Sequence, residues 1–138
     1  MAMKKITSIS AGIIIRQALM DDADLAGKVT AIFPVWSTSD LTLPYICYIR
    51  ESMQGQHDKQ RTVTDNCNYT ISVFAKDYDE AIELIEDVRR CIEGKRITYT
   101  DDGITTVMDC SVVVDCEEAW DLSQSAYEES ITINCRIL

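Results

Sequence analysis

A single histidine, His57, leaves this chain little scope for imidazole chemistry. It stands beside Asp58 in a glutamine-rich stretch, with no cysteine or serine at a motif spacing, whereas general-base work needs a rigidly held geometry. The glycines are few and scattered, so no glycine-rich phosphate loop can be assembled, and no nucleophile elbow is present. No apolar run approaches the roughly 20 residues of a membrane span, and the Ile13-Ile14-Ile15 triplet is far too short. The Met-Ala-Met-Lys-Lys start leads into no signal-type apolar region, so the expectation is a cytosolic protein without a membrane segment. Basic side chains are also scarce: 13 against 23 acidic ones give a formal charge of −10. That balance opposes a phosphate backbone, and sequence-specific nucleic-acid binding is not expected.

Cysteine is not scarce, but its spacing is uninformative in the way metal sites are not. Cys47, Cys67, Cys91, Cys110, Cys116 and Cys135 contain no C-x-x-C and no paired Cys/His cluster, so zinc, and metal ligation generally, is not expected. Several fall at apolar positions of periodic segments, where a thiol behaves as a small buried hydrophobe, and reduced thiols are expected rather than disulfides. The carboxylate pairs Asp101-Asp102 and Glu117-Glu118 lack the ordered oxygen spacing of a calcium loop and read as solvated acids. No cofactor, no metal and no catalytic constellation follow from these residues.

What is present is periodicity. Cys67, Tyr69, Ile71 and Val73 alternate with Asn68, Thr70 and Ser72, the period of a half-buried strand. The period then changes. Ala81, Ile82, Leu84, Ile85, Val88, Cys91 and Ile92 recur at helical spacing, with Asp79, Glu83, Glu86, Asp87 and Arg90 largely opposite. Asp77 and Glu80 form a capping pair in sequence, Arg89 and Arg90 suit the helix C-terminus, and Gly94 suits a left-handed stop. A weaker first helix is expected over Ser8–Met20, capped by Ser8 or Ser10, then an acidic turn at Asp21–Asp24 and a short β-prone run from Val29 to Phe33, ended by Pro34. Tyr45–Ile49 reads as an interior strand, and Arg50–Arg61 as a long mobile loop. Strands are expected at Arg96–Thr100 and Ile104–Met108 around an Asp-Asp-Gly turn, again at Cys110–Cys116, and from Ile131 to Ile137. Glu117–Glu128 reads as a polar connection.

These elements predict an α+β fold: one mostly antiparallel sheet with an N-terminal helix and a central amphipathic helix on one face, in a single domain spanning 1–138. Trp36 and Trp120 fall in connections. Each can cap an end of the sheet or anchor a subunit contact, since tryptophan is enriched at binding hot spots. Tyr45 and Tyr48 fall on opposite faces of their strand, which leaves one free to meet a neighbour.

In order, the chain offers an N-terminal helix, Ile32-Phe33-Pro34, then Leu43-Pro44-Tyr45-Ile46-Cys47-Tyr48, a strand, a helix beginning Ala75-Lys76-Asp77-Tyr78-Asp79-Glu80-Ala81, and an alternating last strand. This order, over nearly the whole length, resembles the small tail-completion proteins (tail terminators, head-tail joining proteins) of long-tailed bacteriophages and prophages. The resemblance implies a non-catalytic structural protein and a homo-oligomeric ring, commonly of six subunits. Such a ring stops polymerisation of the tail tube and presents a surface to the filled head. It implies as partners the tail tube protein and a head-neck connector protein, and as locations the host cytoplasm during assembly and the tail or neck of the virion. Gln54, Gln56, His57, Lys59 and Arg61 of the 51–61 stretch, with Trp120, are the expected assembly contacts. The competing expectation is a small-ligand-binding or regulatory α+β module, because fold alone does not settle function.

Overall fold

The computed structural model describes residues 6–7, 9–35, 41–57 and 62–138, with 53–57, 62–65 and 111–114 described by their backbone alone. Three helices and six strands follow one another as α1 (Gly12–Asp21), α2 (Ala23–Lys28), β1 (Ile32–Pro34), β2 (Tyr45–His57), β3 (Thr62–Ala75), α3 (Tyr78–Ile92), β4 (Lys95–Asp101), β5 (Ile104–Asp121) and β6 (Ala126–Ile137). The strands form one sheet in the order β1-β2-β3-β6-β5-β4. Only the β1–β2 pairing is parallel; the other neighbours run antiparallel. The fold is therefore α+β.

Alternation decides which face is buried. Cys67, Tyr69, Ile71 and Val73 of β3 point inward with Ile131, Ile133 and Cys135 of β6, and all seven are buried. Onto this face α3 sets Ala81, Leu84, Val88 and Ile92, and α1 adds Ile14, Ile15 and Leu19. Gly94 ends α3 with φ +69°, and Asp102 and Gly103 turn β4 into β5 with positive φ. Among the described residues, the opposite face carries no helix. Its centre is a polar ladder in which Thr70 meets Thr132 at 2.8 Å and Asn134 donates to Asn68 at 3.0 Å. Towards one end Tyr45 stacks on Phe74, with ring centroids 4.9 Å apart, and its hydroxyl bonds Gln124. Tyr48 points to the helical side, so both tyrosines are buried within the subunit, and neither is the outward contact that the sequence left open.

Several expectations need correction. The acidic run after α1 is no simple turn: Asp22 caps a second helix by accepting the Leu25 N–H at 3.0 Å. Helix α1 begins at Gly12, and Ser10 does not cap it with its side chain, which instead accepts from the Thr7 N–H; Ser8 lies outside the described residues. Asp77 occupies the cap position of α3 without a side-chain capping bond. Asp87, assigned to the polar side of α3, is buried between Lys28 at 2.8 Å and Arg90 at 2.7 Å, and so ties α2 to α3. The polar stretch after Cys116 is strand, not connection, because β5 runs on to Asp121.

The largest correction concerns 51–57, since 58–61 lie outside the described residues. Residues 51–57 continue β2, with Gln54 paired to Asn66, Gln56 to Thr64 and His57 to Thr62. Pairing between β3 and β6 reaches only to Asn66, and β1 pairs no further along β2 than Tyr48. Among the described residues, 54–57 and 62–65 thus form a two-stranded arm that projects past the rest of the sheet. The polar composition that suggested a loop belongs to a ribbon held by backbone pairing.

Candidate assembly surfaces

Two surfaces on opposite edges of the sheet stand out. The first lies where β5 outruns β4: β4 pairs with β5 only as far as Cys110, so the Glu117–Asp121 segment has β6 on one side and no described strand on the other. Register places Glu118 directly across from Glu129 and Trp120 across from Tyr127, so these four side chains share the helical face. Trp120 lies in β5, not in a connection, and is 50% exposed. It meets Tyr127 edge-on at 4.9 Å, and Tyr127 in turn meets Tyr78 of α3 edge-on at 5.4 Å. Leu122, in the turn beyond, is 81% exposed.

Beside these rings lie two carboxylates, Glu118 exposed and Glu129 buried. Tyr78 donates its hydroxyl to Glu118 at 3.3 Å. Glu129 is only 6% exposed, and its Oε1 has no hydrogen-bond partner. Burial, then the Glu118 charge across the strand pair and a hydrogen bond with Glu118, push the Glu129 carboxyl up to about 7. A buried carboxylate oxygen without a donor is costly in a folded protein. No Lys or Arg among the described residues forms an ion pair with either carboxylate.

The second surface is a groove of about 390 Å³ between the start of α1, the end of β1 and the middle of β2. Its walls include Ile9, Ile13, Val35, Ile49 and Tyr69, and the first four of these are exposed although apolar. Arg50 borders it. Its guanidinium is exposed, donates to the Ile9 carbonyl at 2.6 Å and reaches no carboxylate of the described residues.

Of the residues expected to make assembly contacts, Gln54, Gln56 and His57 stand on the arm. Lys59 and Arg61, like Trp36, lie outside the described residues. Trp120 stands apart from the arm, on the opposite edge of the sheet. The sequence singled out Glu117-Glu118 only as solvated acids. Glu129, Tyr78, Tyr127 and the groove were not visible, because the strand register that unites them is a tertiary fact. All six cysteines are thiols; Cys67, Cys110 and Cys135 are buried, whereas Cys116 is exposed. Among the described residues no cluster of three or more His, Cys, Asp or Glu is arranged to hold a metal, and no helix is long and apolar enough to cross a membrane.

No protein-family model matches the chain, and no curated protein matches it in sequence. Solved structures share its fold. A chain from the virion of a native gene transfer agent particle superposes with a TM-score of 0.74 at 16% identity, covering 91% of this chain and 92% of that one. A second solved protein, with no functional description, superposes with a TM-score of 0.56 at 9% identity, over 92% of this chain and 95% of its own.

Proposed function

We propose that this protein is a structural component of a phage-like particle: a tail-completion protein that closes the tail tube as a ring and joins it to the head. The observation that carries this reading is the shared fold, nearly end to end, with a chain of a gene transfer agent virion. The tail-completion resemblance of the Leu43–Tyr48 and Ala75–Ala81 blocks points the same way. Ring closure needs two unlike surfaces on one subunit, related by a rotation that closes; two unlike surfaces on opposite edges of the sheet support this reading. The function is geometric, and no catalytic step is assigned. Partners in this reading are further copies of the chain, commonly five, the tail tube protein and a head-neck connector.

The arm is the proposed point of attachment to tube or neighbour. A ring sets every copy of the arm at one radius, so weak contacts from Gln54, Gln56, His57, Lys59 and Arg61 act together at high effective concentration. Shortening the arm to a tight Asn-Gly turn should leave the melting temperature nearly unchanged and abolish tail formation; normal tails would remove the arm from the mechanism. The function itself is tested by deleting the gene in a particle-producing host. Unjoined heads and tubes of uncontrolled length are expected, and intact particles would refute the reading. The groove's volume falls within the ~300–1,000 Å³ of small-molecule sites, so a ligand-binding module is the second reading. Saturable uptake of a small apolar molecule by the wild-type monomer, lost in Ile13→Asp, would favour it.

A further inference from the structure

We infer that the Glu118–Glu129 pair, walled by Tyr78, Tyr127 and Trp120, receives the Arg50 guanidinium of a second copy of this chain, while that copy's apolar groove receives Trp120 and Leu122. The inference rests on the proposed self-assembly and assigns it a contact.

Three observations carry it. The acidic site has no cation within one subunit: Glu118 is exposed, Glu129 beside it is nine-tenths buried with its Oε1 unpartnered, and no Lys or Arg of the described residues forms an ion pair with either. A guanidinium suits this site better than an ammonium, because its planar fork can bond the exposed Glu118 carboxylate, next to Glu129, while its face lies against an aromatic ring. The chain also carries a matching cation. Arg50 is exposed, makes no ion pair among the described residues and is steadied at the groove by the Ile9 carbonyl. Finally, the apolar parts match as the charges do. Trp120 and Leu122 are exposed beside the carboxylates, and Ile9, Ile13, Val35 and Ile49 are exposed beside Arg50. Each surface thus sets an apolar area beside one sign of charge, and the signs are opposite. Because the surfaces occupy opposite edges of the sheet, their union is head-to-tail.

A head-to-tail contact has a property that a symmetric one lacks: two differently damaged subunits can still form one intact junction. Trp120→Ala spoils the first surface and Arg50→Glu the second, and both residues are exposed, so each variant should still fold and melt cooperatively, with any loss of melting temperature confined to concentrations at which wild type is assembled. Native mass spectrometry and sedimentation should show assembled wild type, with self-association of each variant weakened about tenfold or more. An equimolar mixture of the two, one isotopically labelled, should give a 1:1 heterodimer and nothing larger. A monomeric mixture, wild-type-like assembly of either variant, or a monomeric wild type would overturn the contact. If wild type forms open chains through this contact instead of closed rings, the ring reading fails and the contact stands. If it forms rings indifferent to both substitutions, the ring stands and the contact fails.

Discussion

The hydroxyl of Tyr69, rising from the middle of β3, accepts the backbone N–H of Gly12 at 2.9 Å in the buried core. The first N–H groups of a helix have no partner within it, and here one is satisfied by a side chain far away in sequence. The glycine is required by the approach. A Cβ at position 12 would stand 3.1 Å from Tyr48 Cε2 and 3.2 Å from both Cε1 and Oη of Tyr69. Both rings are buried, and one is anchored by the very bond in question, so neither has room to yield. Gly12→Ala should destabilise by about 1–3 kcal/mol despite the better helix propensity of alanine. Tyr69→Phe should cost about 1–3 kcal/mol by orphaning the N–H. Denaturant unfolding checks both, and a neutral Gly12→Ala would show that the rings yield.

Helix α3 should respond according to its observed phase. Leu84→Ala should cost about 2–5 kcal/mol, because the side chain is fully buried. Glu83→Ala removes only an exposed ion pair with Lys28 and should stay within about 1 kcal/mol. Asp87→Ala should exceed Glu83→Ala, since it leaves both Lys28 and Arg90 without their shared buried acceptor. Equal effects at 83 and 87 in thermal melts would contradict the clamp between α2 and α3.

Two carboxyls should shape the pH dependence of the subunit in opposite senses. Glu129 titrates at about 7 folded against an ordinary 4.5, so the folded state holds a proton that the unfolded state has lost between those values. Its contribution is present below about 4.5 and is lost as pH rises to about 7. The charged or titratable groups facing it are Glu118 on β5 and Tyr78 on α3, with Asp79 near that tyrosine. Burial pushes Asp87 upward, but bonds from Lys28 and Arg90 outweigh it and hold the carboxyl below its ordinary range. Its contribution is present above that range and is lost as pH falls through the folded value. Stability measured by denaturant from pH 4 to 8 should therefore decline towards pH 8, and Glu129→Gln should flatten the decline. An unchanged slope in that variant would exclude Glu129 as its source.

The thiols should react in order of burial. Cys116 is exposed and should label in the native protein. Cys110 and Cys135, whose sulfurs lie 3.6 Å apart across paired strands, should label only on unfolding. The bond to Cys110, that to Cys67 and burial all push the Cys135 thiol far above its ordinary value, which suppresses the reactive thiolate. Burial, then the Asp22 carboxylate, push the half-buried Cys91 up to about 12. Mass spectrometry of alkylated protein reads the order, and two or more native disulfides would contradict it.

Where one face of an element is buried and the other wet, the sequence was readable. The alternations of β3 and β6 and the helical period of α3 each correspond to the observed inward residues. The stop at Gly94 and the turn at Asp102-Gly103 were legible for the same local reason, since positive φ selects these residues. Helix α2 was hidden, because an Asp-Asp-Ala-Asp run resembles a turn until Leu25 is seen to be buried. Asp87 was misplaced because its burial depends on Lys28, 59 residues away. The second half of β5 and the arm carry no apolar alternation to read. The candidate site suffered most, for Glu118 and Glu129 become a pair only through strand register.

The two-stranded arm has an evolutionary consequence. Past Asn66 it shares no backbone pairing with β6, and past Tyr48 none with β1. Substitutions there bear on two strands alone and should combine additively with changes in the distant core. Lineages could therefore retune the arm to new partners while the body of the fold stays under purifying selection for packing. In chains of this fold, divergence should concentrate along that ribbon, and Gly12 and Tyr69 should vary together or not at all.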